Sequence, residues 1–189
     1  MEIESRCLPR KASWRMTAML RRASEDDAER IAELHTASWR VTYTRELPPS
    51  FLETQDVGAR AASWRSQMEE GVRVFVAEDG EEMTGFVACG PARDKALGQG
   101  IWEIYNLHVA PKRKREGIGS ALFRSAVELG REEGATDLVL WVVVSNSTAR
   151  LFYELKGMEC EGTRQESVMR GGHKLYEIRY RMRLSDCRP

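Results

Sequence analysis

Three groups of residues have types and spacings that can do chemistry. The first is the run Lys112-Arg113-Lys114-Arg115-Glu116-Gly117-Ile118-Gly119-Ser120, four basic residues followed by two glycines one residue apart. Set between an apolar strand and an amphipathic helix, such a run makes an anion site. The first amides of a helix have no intrahelical acceptor, and the helix dipole adds to their pull. Gly117 and Gly119 carry no Cβ and let the backbone approach a phosphate closely; Lys112 to Arg115 would neutralise its outer charge. There is no Gly-Lys-Ser/Thr of a Walker A loop and no third glycine of a dinucleotide fingerprint. As a local pattern it is weak, because a tight turn beside a solvated basic face looks the same.

The second group lies just upstream, in Trp102-Glu103-Ile104-Tyr105-Asn106-Leu107-His108-Val109. A carboxylate held among apolar neighbours resists ionisation and can serve as a base near neutrality, which makes Glu103 a candidate base. The plainer reading is a strand-edge glutamate paired with a neighbouring lysine. Tyr105 and His108 compete for the role, and His108 has the near-neutral intrinsic pKa of an imidazole. Strand alternation puts His108 on the opposite face from Glu103, so one face does not carry both. The third group is Trp39, Tyr43 and Phe51, aromatic residues that could wall a small-molecule cleft or, for two of the three, simply fill the core.

The elements that position these residues are legible in the hydrophobic pattern. Residues 19–24 read as a short first strand, and Ser24 with Asp27 as a capping box opening a helix with Ala28, Ile31, Leu34 and His35 on one stripe. Residues 37–53 are irregular, and Pro48-Pro49 is expected to stop any helix. Another short helix covers 59–69. Strands follow at 72–79 and 83–90, joined by an Asp79-Gly80 hairpin signal, then a polar loop and a long strand over 101–111. Ile118, Leu122, Ala126 and Leu129 stripe the next helix, which Gly134 ends. Residues 137–144 are almost wholly apolar, as in a buried central strand. Ser147 is read as the cap of a helix holding Ala149, Phe152 and Tyr153, closed by Gly157. Residues 174–184 alternate like an antiparallel strand near a sheet edge. The order is strand, helices, a meander of three strands, helix, strand, helix, strand. That is one α/β domain, with a mixed, mostly antiparallel sheet and helices on both faces.

The 189 residues fit one domain with a sizeable core, here 19–189. Residues 1–18 lack the apolar region of a secretory signal and read as a loose extension, with Met16 or Met19 as possible natural starts. Net charge is zero, with no global basic field for nucleic acid; aromatic platforms beside the basic run are also lacking. The four cysteines are irregularly spaced, which suggests neither a disulfide framework nor a zinc site and suits the cytoplasm. No apolar run has the length of a membrane helix.

In combination, residues 20–184 resemble the GCN5-related N-acetyltransferase (GNAT) family. The family motif Gln/Arg-x-x-Gly-x-Gly/Ala corresponds here to Lys114-Arg115-Glu116-Gly117-Ile118-Gly119, with Lys114 a departure that keeps charge but loses the guanidinium fork. Residues 107–111 look like the family's fourth strand, residues 145–158 like its fifth-strand exit and following helix, and residues 20–43 like its start. Tyr153-Glu-Leu-Lys-Gly157-Met158 matches the family's Tyr-x-x-x-Gly-Phe ending, with Met for Phe. The resemblance implies acetyl-CoA as acetyl donor, its pyrophosphate wrapped by the backbone of Lys114 to Ser120. It implies that a bulge splays strands four and five apart. The backbone of Leu107, His108 and Val109 would then support the pantetheine arm and thioester oxygen, and Asn146 would hydrogen-bond the pantetheine amide. Glu103, eight residues before the closing proline, is at the position of the family's base, and Tyr153 at that of the acid that protonates the departing sulfur. The acceptor would be a primary amine, on a small molecule or a peptide N-terminus, with a homodimer possible. A non-catalytic acyl-CoA sensor on the same fold is the reading from another class.

Overall fold

Strands with inward apolar residues at period two alternate with helices whose apolar stripe recurs every three to four positions, and that pattern sets the layers. A computed structural model describes residues 18–169 and 171–184. The extension expected over residues 1–18 falls outside them apart from Ala18, as do Cys7 and Cys187. The chain runs β1 (Met19–Arg22), α1 (Ala28–Thr42), α2 (Pro49–Glu53), α3 (Val57–Glu69), β2 (Arg73–Asp79), β3 (Glu82–Pro91), β4 (Ile101–Val109), α4 (Ile118–Glu132), β5 (Asp137–Val143), α5 (Ser147–Leu155), β6 (Glu159–Val168) and β7 (Lys174–Arg183). The sheet has seven strands in the order β1-β2-β3-β4-β5-β7-β6. Every neighbouring pair is antiparallel except β4 and β5, which run parallel.

Helices cover both faces. Ile118, Leu122, Phe123 and Ala126 of α4, with Tyr153 of α5, pack on Val87, Trp102, Ile104, Leu138 and Leu140. On the other face Ile31 and Leu34 of α1 and Trp64 of α3 pack on Val76, Phe86 and Ala88. Burying one such side chain contributes about 1.5–3 kcal/mol. The start of α4 sits unusually close to β3: a Cβ on Gly85 would lie 2.9 Å from both the His108 carbonyl and Leu122 Cδ1. That closeness fixes the α4 N-terminus over the strand that carries the candidate site.

Three local readings need correction. Pro48-Pro49 starts a helix rather than only stopping one: Pro49 is the first residue of α2, where a missing N–H costs nothing. The cap of α5 is Asn146, whose Oδ1 accepts from the Ala149 amide at 3.1 Å; Ser147 is the first helical residue. Residues 159–168 form β6, which the sequence pattern did not indicate. Almost every residue of β6 is exposed, so no alternation marks it.

Candidate active site

The site begins with a mismatch in β4. Pairing with β3 runs Cys89 to Ile104 and then Ala88 to Asn106, leaving Tyr105 as an extra residue. A bulge of this kind shifts side-chain parity by one. Trp102 and Ile104 before it, and Leu107 and Val109 after it, all face the α4 side. Glu103 and His108 therefore share the α1 side, which corrects the strict alternation expected of them. Pairing between β4 and β5 also stops at Ile104 and Leu140, while β5 continues alongside β7 to Val143. From Tyr105 to Val109 the edge of β4 that faces away from β3 has no strand beside it, and the two parallel strands diverge.

Above the α4 face, a turn of 3-10 helix (Pro111–Arg113) leads into the glycine loop. Arg115 has φ 70° and Gly117 φ 85°. The first is an uncommon conformation for a residue with a Cβ, and such strain gathers at ligand sites. The first backbone bond into α4 is Ala121 N–H to Gly117 C=O at 3.1 Å, so the amides of Ile118, Gly119 and Ser120 have no protein acceptor among the described residues. A Cβ on Gly119 would meet Val109 Cγ2 at 3.5 Å, with Leu107 Cδ2 and Phe152 Cε2 at 3.8 Å. Gly119 thus packs directly against Leu107 and Val109 of β4 and Phe152 of α5, which sets the glycine loop beside the strand gap. These free amides, beside the unpaired edge of β4, fit a pyrophosphate with a narrow arm attached.

The basic run divides by role. Arg113 is committed to protein: it binds Asp79 at 2.8 Å, Glu82 at 2.9 Å and Glu116 at 2.8 Å, tying the loop to the β2–β3 hairpin. It does not supply outer charge as expected, and the Glu116 carboxylate is occupied by it, leaving only the Glu116 backbone for a ligand. Lys112, Lys114 and Arg115 are exposed, with no ion pair among the described residues. They remain the local positive charge.

Glu103 is buried, 2 % exposed, and far from an open base. Its Oε2 accepts from the Arg93 backbone N–H at 2.8 Å, and its Oε1 from Arg93 Nε at 3.0 Å and Nη2 at 2.5 Å. The same guanidinium lies 4.6 Å over the Tyr105 ring, and Tyr105 Oη donates to the Pro91 carbonyl. The cation pairing that a strand glutamate can adopt is therefore realised, with an arginine rather than a lysine. The result anchors the start of the β3–β4 loop.

His108 faces α1, with Nδ1 2.9 Å from Ser38 Oγ and its ring 4.6 Å from that of His35. Burial, with Arg60 and Lys114 nearby, pushes its pKa down to about 3. It is neutral at physiological pH and a weak base, and its backbone is directed at Phe86 of β3, so Leu107 and Val109, not His108, turn their backbone groups to the gap. The Asn146 Oδ1 is taken by the α5 cap, which leaves its side-chain NH2 to offer. Tyr153 is 8 % exposed, packed by Phe152, Phe123 and Tyr180. Burial, and secondarily Tyr43, hold its phenol above the ordinary range. Its proton is retained, as an acid for a thiolate requires.

On the α1 face a cavity of about 810 Å³ is lined by His35, Trp39, Phe51, Gln55, Arg60 and Asn106, among others, with Met169 and Gly171 also in its wall. Of the aromatic trio, Trp39 and Phe51 line it, while Tyr43 packs beside Trp39 against the cluster of Leu47, Leu52, Val143 and Leu175. Arg60, Gln55 and Asn106 are site residues the sequence did not reveal. The weak stripe of α3 gave no sign of which way Arg60 points, and Asn106 turns to this face only because of the bulge.

Three kinds of comparison bear on this arrangement. The model of the acetyltransferase (GNAT) family matches residues 28–158. An uncharacterized N-acetyltransferase (YuaI) of Bacillus subtilis (strain 168) is 31% identical over 136 residues, 71% of this chain and 76% of the relative. An uncharacterized N-acetyltransferase of Archaeoglobus fulgidus is 32% identical over 155 residues, 78% of this chain and 99% of the relative. Among solved structures, the PaiA N-acetyltransferase of Thermoplasma acidophilum in complex with coenzyme A superposes with a TM-score of 0.69 at 20% identity, covering 88% of this chain and 98% of that one.

Proposed function

The chain belongs to the acetyltransferase (GNAT) family, and on that premise we propose that it moves an acetyl group from acetyl-CoA to a small primary amine. The observation that carries this reading is the β4–β5 gap. On its α4 side lie the free amides that open α4, with Gly119 packed against Leu107 and Val109; on its α1 side Asn106 lines a polar and aromatic cavity. Donor and acceptor can thus approach one point from opposite faces of the sheet.

Acetyl-CoA supplies a thioester whose acyl carbon is open to attack by an amine. The amides from Lys114 to Ser120 bind its pyrophosphate, with Lys112, Lys114 and Arg115 screening the remaining phosphate charge. At the free edge of β4, Leu107 and Val109 offer backbone donors to the pantetheine arm and the thioester oxygen, with the Asn146 NH2 as a further donor. As the C–N bond forms and the C–S bond breaks, Tyr153 gives its phenolic proton to the sulfur and is reprotonated from solvent. The amine, having lost its ammonium proton to solvent, arrives neutral and gives up one of its two N–H protons to solvent as the amide forms. Glu103, bound on both oxygens by Arg93, holds the strand and loop beside the gap.

None of the helices among the described residues is long and apolar enough to cross a membrane. Cys89 and Cys160 are free thiols, which supports work in the reducing cytoplasm. The test is acetyl-CoA-dependent thiol release across polyamines, amino acids, aminoglycosides and peptides with a free α-amine. Release with small amines is expected. Release with peptides alone would make the chain an N-terminal acetyltransferase.

A further inference from the structure

Arg60, on α3, is a half-buried cation held entirely by uncharged groups. Its Nη2 donates to Gln55 Oε1 at 2.6 Å, its Nη1 donates to His35 Nδ1 at 3.2 Å, and its Cζ lies 5.3 Å from the centroid of the Trp39 ring. No carboxylate comes within 4 Å of it among the described residues. Asp56 lies one helical turn earlier and could reach, but its side chain caps α3 by accepting from the Ala59 amide at 3.1 Å. A guanidinium has five N–H donors; the protein engages one on Nη1 and one on Nη2, leaving the other three without a protein partner.

The support beneath it is specific. An arginine cannot accept a hydrogen bond, so His35 Nδ1 carries the lone pair and its proton sits on Nε2. His35 is 7 % exposed, wedged among the rings of Trp39, Trp64, Phe86 and His108, and its Nε2 has no partner. Burial holds its pKa well below 6.5, so it stays uncharged. A neutral imidazole, an amide oxygen and an indole face fix the guanidinium plane without neutralising it. Burying a charge is costly unless it is paired. A protein that orients such a charge in a cavity and withholds its counter-ion leaves that place to a ligand.

We propose that the acceptor amine also carries an oxyanion, as an amino acid does, and that Arg60 binds that group in the cavity while the amine points past Asn106 to the β4–β5 gap. This rests on the acetyl-transfer reading and adds to it a substrate class and a specificity-determining residue. A carboxylate matches the forked donor geometry of arginine. His35 and Gln55 are positioning residues: they touch Arg60 and orient it. The acetyl transfer itself is unchanged, with the new C–N bond forming at the amine and the oxyanion taking no covalent part.

The experiment compares matched acceptors on the full chain. Common L-amino acids are each tested beside the carboxamide and the decarboxylated amine. The expected kcat/KM favours the carboxylate by about tenfold to a hundredfold, the range of a charge-assisted hydrogen bond. In Arg60→Gln that ratio falls toward one, and in Arg60→Lys it is intermediate, since charge is kept but the fork is lost. Acetyl-CoA titration of each variant checks that the donor site still folds, and the wild-type ratio needs no variant. A wild-type ratio near one, or a preference for the uncharged twin or for peptides regardless of their C-terminal charge, overturns the proposal. If no amine is acetylated, the acetyl-transfer reading fails. The oxyanion claim is then read by thermal protection in the presence of coenzyme A: protection by the amino acids alone supports it, and equal or absent protection by acid and amide overturns it.

Discussion

Glutamine in place of Glu103 separates a proton acceptor from an anchor. The pair is asymmetric: Glu103 is 2 % exposed and Arg93 62 %. Breaking a fully buried pair from one side costs about 3–5 kcal/mol because a charge is left stranded. In Glu103→Gln the stranded charge is Arg93, which is mostly solvated, and the glutamine carbonyl can still accept from the Arg93 backbone amide. The cost is then about 1–2 kcal/mol, the scale of charge-assisted bonds after screening. In Arg93→Gln the buried carboxylate is the one stranded, and the cost rises to about 2–4 kcal/mol. For a chain of this size each kcal/mol lowers Tm by about 2–4 °C. Arg93→Gln should therefore melt lower than Glu103→Gln. The double variant, which strands neither charge, should be no worse than Arg93→Gln alone. Turnover should follow the same order, with Glu103→Gln losing less than about tenfold at pH 7, below the usual contribution of a general base. Calorimetric melting and a pH–rate profile on the three variants decide it. A loss of a hundredfold or more in Glu103→Gln at unchanged Tm, recovered at high pH and absent in Arg93→Gln, would refute the anchor and restore Glu103 as the base.

Tyr153→Phe keeps the ring among Phe123, Phe152 and Tyr180; kcat should fall about tenfold to a thousandfold while titration shows little change in acetyl-CoA affinity, and full turnover would reduce Tyr153 to packing. Gly119→Asp should abolish acetyl-CoA binding by calorimetry in a folded protein, since a new carboxylate would stand among the free amides where the phosphate binds, and unchanged affinity would displace the donor site. Affinity for coenzyme A should weaken with added salt, as Lys112, Lys114 and Arg115 are exposed and screenable; a flat dependence would mean the run only solvates. His35 and His108 are neutral in the fold with pKa values below the ordinary 6.5, so the unfolded chain binds more protons once pH drops below that value. Stability should therefore fall as pH drops from about 6.5 toward 3, by up to about 1.4 kcal/mol per pH unit for each histidine. Denaturant titrations across that window should show the slope, and His108→Gln should reduce it.

What could be read from the sequence was whatever repeats locally. The stripe of Ile118, Leu122, Ala126 and Leu129 gave α4, and the apolar run 137–144 gave β5, because burial imposes their periods. The glycine loop was visible because its chemistry is contiguous in the chain. β6 was not: Glu-Cys-Glu-Gly-Thr-Arg-Gln-Glu-Ser-Val is a polar edge strand held only by β7, and exposure on both faces erases alternation. The bulge at Tyr105 was not either. One extra residue reverses the parity of everything after it, and so misassigned the faces of Glu103 and His108. The Arg93 partner of Glu103 comes from a polar loop ten residues earlier, and Arg60 from a helix with a faint stripe. Both depend on tertiary contacts that no short-range pattern encodes.

The central claim is that this chain joins an acetyl group to an amine across the β4–β5 gap. It is tested most directly by incubating the purified protein with acetyl-CoA and the amine panel, counting free thiol and acetylated amine in the same sample. The account predicts the two in equal amounts, rising with enzyme concentration and suppressed in Tyr153→Phe. Tight binding of acetyl-CoA with no acetylated amine from any acceptor would contradict it and make the chain an acyl-CoA sensor.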